Sequence, residues 1–232
     1  MSLPTGTKKR ALVQEMFDGI APRYDFMNRL VSLGLDQGWR RRMLERIDLR
    51  PGESVVDLAC GTGDLCQQSQ DRGAVVIGVD FAAAMLYRAA ARGIDCRFVR
   101  ADAERLPFPD ASVDVVTCGF ALRNFVSLDA VFAEVARILK PNGRFAFIEV
   151  DRPSSRFVRK AHSLYFDRVV PFVGALISDR DAYRYLPEST AYLPACQELM
   201  AMLSKVGFSN IVMERVFFGA AQIWNGNRDA VG

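Results

Sequence analysis

The stretch Val55-Val56-Asp57-Leu58-Ala59-Cys60-Gly61-Thr62-Gly63-Asp64 reads as a short buried strand that runs through a glycine turn into a helix. Its apolar run is β-branched at Val55 and Val56, as suits a parallel strand covered on both faces. Gly61 and Gly63 let the backbone turn tightly and approach a ligand. The next apolar run closes on an acid in Val79-Asp80-Phe81. That acid lies at roughly the 20-residue distance of a carboxylate that holds ribose hydroxyls. A dinucleotide loop would carry a third glycine where Cys66 stands, and Asp64 at the helix start would repel a pyrophosphate. A phosphate-free nucleoside such as S-adenosylmethionine fits better, with Asp57 helping to neutralise its cationic methionine moiety. A structural turn without a ligand is the alternative for Gly-x-Gly alone. Further on, Asp102 is placed to accept from an adenine amino group while Ala103 offers its backbone N–H; a helix cap before a proline turn is the other reading there.

Outward from this loop, short apolar runs alternate with helical patterns. Strands are expected at 54–58, 74–79, 95–99, 113–118 and 144–150. Helices are expected at 64–72, 82–92 and 128–139. Such alternation means βαβ units, a mostly parallel sheet and helices on both faces. Near the C-terminus a helix at about 195–206 precedes two closing strands, 209–217 and 220–224, expected antiparallel. Residues 1–50 read as broken helices, a lid. Residues 51–232 read as the sheet domain, interrupted at about 151–194 by a cap rich in Arg, Pro, Tyr and Phe.

The 232 residues carry 30 basic and 27 acidic side chains, a net charge of +3, which is too balanced to argue for a nucleic-acid partner. Two basic clusters, Arg40 to Arg42 and the set from Arg152 to Arg168, read first as solvated faces. Cys60, Cys66, Cys96, Cys118 and Cys196 form no CxxC pair and suit reduced thiols in a cytoplasmic protein. A single histidine, His162, excludes a multi-histidine metal site, and no metal is expected. At His162 itself a surface or capping role is favoured over a catalytic base. No apolar run suggests a signal peptide or a membrane-spanning helix.

Several motifs together carry a family resemblance. They are Met16-Phe17-Asp18-Gly19-Ile20-Ala21-Pro22-Arg23-Tyr24-Asp25-Phe26-Met27-Asn28, Ser32-Leu33-Gly34 with Trp39-Arg40, and Phe120-Ala121-Leu122-Arg123-Asn124. Arg137-Ile138-Leu139-Lys140-Pro141-Asn142-Gly143 with Glu149, and Tyr183-Arg184-Tyr185-Leu186-Pro187-Glu188-Ser189, complete the set. On these the chain resembles the ubiquinone/menaquinone biosynthesis C-methyltransferases, a family of class I S-adenosylmethionine-dependent methyltransferases. The resemblance spans roughly residues 10–225.

It implies a Rossmann-like α/β fold with a seven-stranded sheet, and C-methylation of a reduced, prenylated hydroquinone ring. The expected cofactor contacts are Asp57, Gly61, Thr62, Gly63, Asp80, Phe81, Asp102, Ala103 and Gly119, with Tyr24 and Met27 from the lid. Gly119 is a position often occupied by serine in the family. Arg123 is the candidate to stabilise a phenolate, with Asn124 orienting the ring or a water; a buried structural pair to an acid is the alternative for Arg123. Asn28, Phe120, Tyr165, Tyr183 and Tyr185 are expected to line the acceptor pocket. The apolar run 169–177 is expected to pack on the sheet or to offer a mouth for an isoprenoid tail, with peripheral contact at the inner face of the cell membrane. A homodimer is expected on general grounds.

The chain departs from the family at Asn142-Gly143, Glu149-Val150-Asp151, Ala221-Gln222-Ile223-Trp224 and Phe120-Ala121. The acceptor therefore stays open to another phenolic ring. A non-catalytic nucleoside-binding module is the competing class. A nicotinamide oxidoreductase is opposed by Cys66 and Asp64. A nucleic-acid methyltransferase is opposed by the modest charge and the lack of its Asn/Asp-Pro-Pro-Tyr motif.

Overall fold

The computed structural model describes residues 5–151 and 189–230. Three helices come first: α1 (Gly6–Ile20), α2 (Tyr24–Val31) and α3 (Leu35–Arg46). Pro22 sits in a single 3-10 turn between α1 and α2, where its missing N–H breaks the helix. Gly34 adopts a left-handed conformation to start α3.

The alternating region then runs β1 (Ser54–Leu58), α4 (Asp64–Gln70), β2 (Val75–Asp80), α5 (Ala83–Ala91), β3 (Arg97–Arg100), β4 (Val113–Gly119), α6 (Leu128–Ile138) and β5 (Leu139–Val150). After residue 189 come α7 (Cys196–Lys205), β6 (Phe208–Val216) and β7 (Ala221–Arg228). The seven strands form one sheet in the order β3-β2-β1-β4-β5-β7-β6. All neighbours are parallel except β7, which runs antiparallel to both β5 and β6. This is the expected α/β fold, closing pair included.

Strand periodicity divides the core into two layers. Val56, Val116, Phe145, Phe147 and Trp224 face α6 and α7, where Phe132 stacks on Phe147. Their chain neighbours Val55, Val115, Ala146, Ile148 and Ile223 face Met43 and Leu44 of α3 and Leu65 of α4. Burial on both faces accounts for the continuous apolar runs of β1 and β4.

The fifth strand differs from expectation. It starts at Leu139, directly from α6, and its register with β4 slips between Val113 and Val115. The slip takes up a tight turn at Asn142 (φ 62°) and Gly143. A Cβ at Gly143 would lie 2.8 Å from the Lys140 carbonyl oxygen, so only glycine fits there. Asparagine tolerates the left-handed backbone at position 142, which explains how the family's first glycine is replaced without loss of the turn.

The strand order reverses between β1, which leads to β2 and β3, and β4, which leads to β5. Ligands of open α/β sheets bind at such a point, beyond the carboxyl ends of the strands. The candidate residues after β1, β2, β3 and β4 all lie there.

Candidate cofactor and acceptor site

The glycine loop is shaped from three sides. Gly61 (φ 55°) and Gly63 (φ 87°) both need the left-handed region, and a Cβ on Gly63 would strike Ile94 at 2.8 Å. Asp80 ties the loop to the end of β2. One carboxylate oxygen accepts from the Gly61 N–H at 2.8 Å and the other from the Ala82 N–H at 2.9 Å. Thr62 is buried, and its hydroxyl donates to the Asp25 carboxylate, holding α2 against the loop.

Two shallow lobes that share lining residues open above this loop. The first is lined by Asp80, Phe81, Asp102 and Ala103, with Arg10 and Val13 of α1 over it. The second is lined by Gly61, Tyr24, Gly119 and Phe120, with Phe17 of α1. Asp80, Phe81, Asn124 and Phe125 belong to both. The sequence-derived cofactor positions from four separate strand ends thus meet around one acid.

This set fits a nucleoside. A buried carboxylate with spare lone pairs stands at the centre, and Asp102 with Ala103 stands at one end. Burial lifts the Asp80 carboxyl to about 6, against the backbone hydrogen bonds that favour its ionised form.

Asp57 and Asp64 line neither lobe. Asp57 lies beneath the loop, accepting from the Thr117 hydroxyl at 2.8 Å and from the Cys66 thiol. Burial pushes its carboxyl up to about 7, only partly offset by those hydrogen bonds. A carboxyl raised in the folded state binds more protons there than in the unfolded chain. The stability it supports is therefore lost as pH rises from about 4 through 7. Asp57→Asn cannot ionise. Its stability relative to the parent is expected to rise by about 3 kcal/mol between pH 5 and pH 8. Urea unfolding at both pH values measures this, and a pH-independent difference would contradict it.

Asp64 turns away from the ligand side. Burial raises its carboxyl, but Arg40, Arg29 and Arg92 together hold it below the usual carboxylate range. Arg29 and Arg92 approach it at 3.1 and 2.9 Å. The run Arg40–Arg42 is consequently split. Arg42 is exposed and pairs with Glu214, whereas Arg40 is buried between Asp36 and Asp64. A solvated face is wrong for Arg40, because α3 packs that side against the sheet.

Arg40 also reaches Gly119. A Cβ there would lie 2.5 Å from the Arg40 Nη1 atom, so a serine at this position would require the guanidinium to move.

Arg123 and Asn124 occupy a 3-10 turn beyond β4, and both are buried. The Arg123 guanidinium pairs with Glu149 of β5, donates to the Phe120 carbonyl at 2.8 Å, and donates from Nε to the Ser189 hydroxyl at 3.1 Å. Asn124 faces both lobes, whereas Arg123 braces the turn that carries it. On α2, Met27 is buried and Asn28 holds a buried amide nitrogen without a hydrogen-bond partner among the described residues. Tyr165, Tyr183, Tyr185, His162, the 169–177 run and the second arginine cluster lie outside the described residues.

Local pattern did not reveal the part played by α1. Lys9 is buried, donates to the Phe125 carbonyl at 2.6 Å, and lies 3.9 Å from the Tyr192 ring centre. Burial lowers its ammonium to about 8 despite Glu104. Arg10 pairs with Asp102 at 2.6 Å. The Lys8-Lys9-Arg10 run carries no signal that would separate these latches from an ordinary basic N-terminus.

Comparison with known proteins shows the family and the fold. The chain is 44% identical over 220 residues to the demethylmenaquinone methyltransferase of Thermus thermophilus, covering 92% of this chain and all of that protein. It is 41% identical over 234 residues to the demethylmenaquinone methyltransferase of Deinococcus radiodurans, covering 97% of each. A SAM-dependent methyltransferase from Thermotoga maritima superposes with a TM-score of 0.66 at 20% identity, over 94% of this chain and all of that one, and so shares the fold. The profile of the ubiE/COQ5 methyltransferase family matches residues 5–228. The chain belongs to the ubiE/COQ5 methyltransferase family and is an S-adenosylmethionine-dependent methyltransferase.

Proposed function

We propose that this enzyme methylates a ring carbon of a reduced prenylated quinone of the demethylmenaquinol type. One observation carries the reading. The lobe around Asp80 shares Asp80, Phe81, Asn124 and Phe125 with a second, partly aromatic lobe. When bound, S-adenosylmethionine supplies an electrophilic methyl on a sulfonium. The chain's own residues position the acceptor. Alignment of a ring carbon with that methyl provides much of the rate. Asn124 orients the ring hydroxyl or a water, and the positive Arg123, pinned by Glu149, favours the phenolate that makes the ring carbon nucleophilic. Tyr24 and Phe120 wall the ring from either side of Gly61 and Gly119 and exclude water. Water carries away the ring proton. The names of the related proteins support a menaquinone precursor as acceptor.

The test is mass spectrometry of demethylmenaquinol incubated with enzyme, S-adenosylmethionine and a reductant. A gain of one methyl on the ring is expected; an unchanged mass with intact cofactor binding would leave the acceptor as another phenol. Among the described residues no helix is long and apolar enough to cross a membrane. A lipid acceptor calls instead for peripheral contact with the bilayer that stores it.

A further inference from the structure

The geometry points to an aromatic track, Phe120–Trp39–Phe217–Phe218, that carries the acceptor's prenyl chain from the ring pocket to the protein surface. This rests on the quinol reading above. Phe120 lines the second lobe. Its ring centre lies 6.4 Å from that of Trp39, Trp39 lies 6.0 Å from Phe217, and Phe217 lies 5.7 Å from Phe218. The series ends in open solvent, with Phe217 48% and Phe218 75% exposed.

The turn after β6 stands at the correct end of the sheet. Val216 pairs with Ala221, and Ala221 pairs with Val150 at the carboxyl end of β5, where the site opens. Four rings in sequence match the repeating apolar, unsaturated units of a polyprenyl chain. They offer it apolar contact outside the polar nucleoside lobe.

Backbone conformation gives a second, independent observation. Phe120 (φ 62°), Phe217 (φ 47°) and Phe218 (φ 56°) hold the left-handed conformation, and no other phenylalanine among the described residues does. Bulky side chains rarely adopt it, and such strain gathers at functional sites. Packing of the fold does not require an aromatic side chain at Phe218, which is largely in water.

The test uses two detergent-solubilised acceptors with the same reduced ring, one with a long polyprenyl chain and one with a single prenyl unit. The variant is the double substitution Phe217→Asn and Phe218→Asn; asparagine suits a left-handed backbone, so the turn is kept. The ratio of kcat/KM for the long over the short acceptor is expected to fall about tenfold. An unchanged ratio overturns the track, whether both activities fall together or neither falls. A loss seen on vesicles but not in detergent marks bilayer contact and also overturns it. Wild-type transfer to neither ring overturns the quinol reading itself; transfer to both with an unaltered ratio overturns the track alone.

Discussion

Replacing Asp80 by asparagine is expected to weaken S-adenosylmethionine binding about 100-fold, roughly 2.7 kcal/mol. Two effects add. The ribose hydroxyls lose a charge-assisted acceptor. Asparagine also has only one oxygen, while Asp80 accepts from both the Gly61 and the Ala82 N–H groups. The amide nitrogen would face one of those donors, and the glycine loop would shift. Isothermal calorimetry measures the effect, and a dissociation constant within about threefold of the parent's would remove Asp80 from the cofactor site. The same carboxyl sets a pH dependence. With its pKa raised to about 6, it is ionised above that pH and protonated below. Cofactor affinity is therefore expected to fall as pH drops below about 6, and the asparagine variant is expected to lose that dependence.

Removing Arg123 is expected to destabilise the fold by about 3–5 kcal/mol. Glu149 is fully buried, and without the guanidinium its charge keeps, among the described residues, the N–H groups of Arg123 and Val150. Arg123→Ala alone therefore cannot separate catalysis from folding. The double substitution Arg123→Met with Glu149→Met can, because apolar replacement of both partners of a buried pair recovers much of the lost stability. Chemical unfolding is expected to return near the parent value while methyl transfer stays at least about 100-fold down, with cofactor binding retained. Recovery of turnover together with stability would reduce Arg123 to a structural brace.

The alternation of residues 54–150, the antiparallel closure and the glycine loop followed by Asp80 are all legible in the sequence. Each depends on short-range physics. Strand and helix periods repeat every two and about 3.6 residues. The turn at Gly61 and Gly63 demands left-handed backbone at those positions, and a carboxylate after the second strand follows from the βαβ spacing. The place of the site also follows, because right-handed crossovers leave the carboxyl ends of β1 and β4 side by side.

What stayed hidden depends on partners far apart in the chain. Nothing local separates Arg40 from Arg42, yet α3 turns one beneath the site and the other into solvent beside Glu214. Arg123 reads first as a phenolate-stabilising cation, with a buried pair as the alternative, and only the sheet brings Glu149 of β5 against it. Lys9 and Arg10 look like an ordinary basic terminus until α1 folds across the pocket. The four rings of the aromatic series come from three segments that only the assembled sheet and its packed helix unite. Periodicity and backbone strain are properties of neighbours in sequence, so the chain displays them openly. Burial and charge pairing are properties of neighbours in space, and here the packed helices and sheet assigned them.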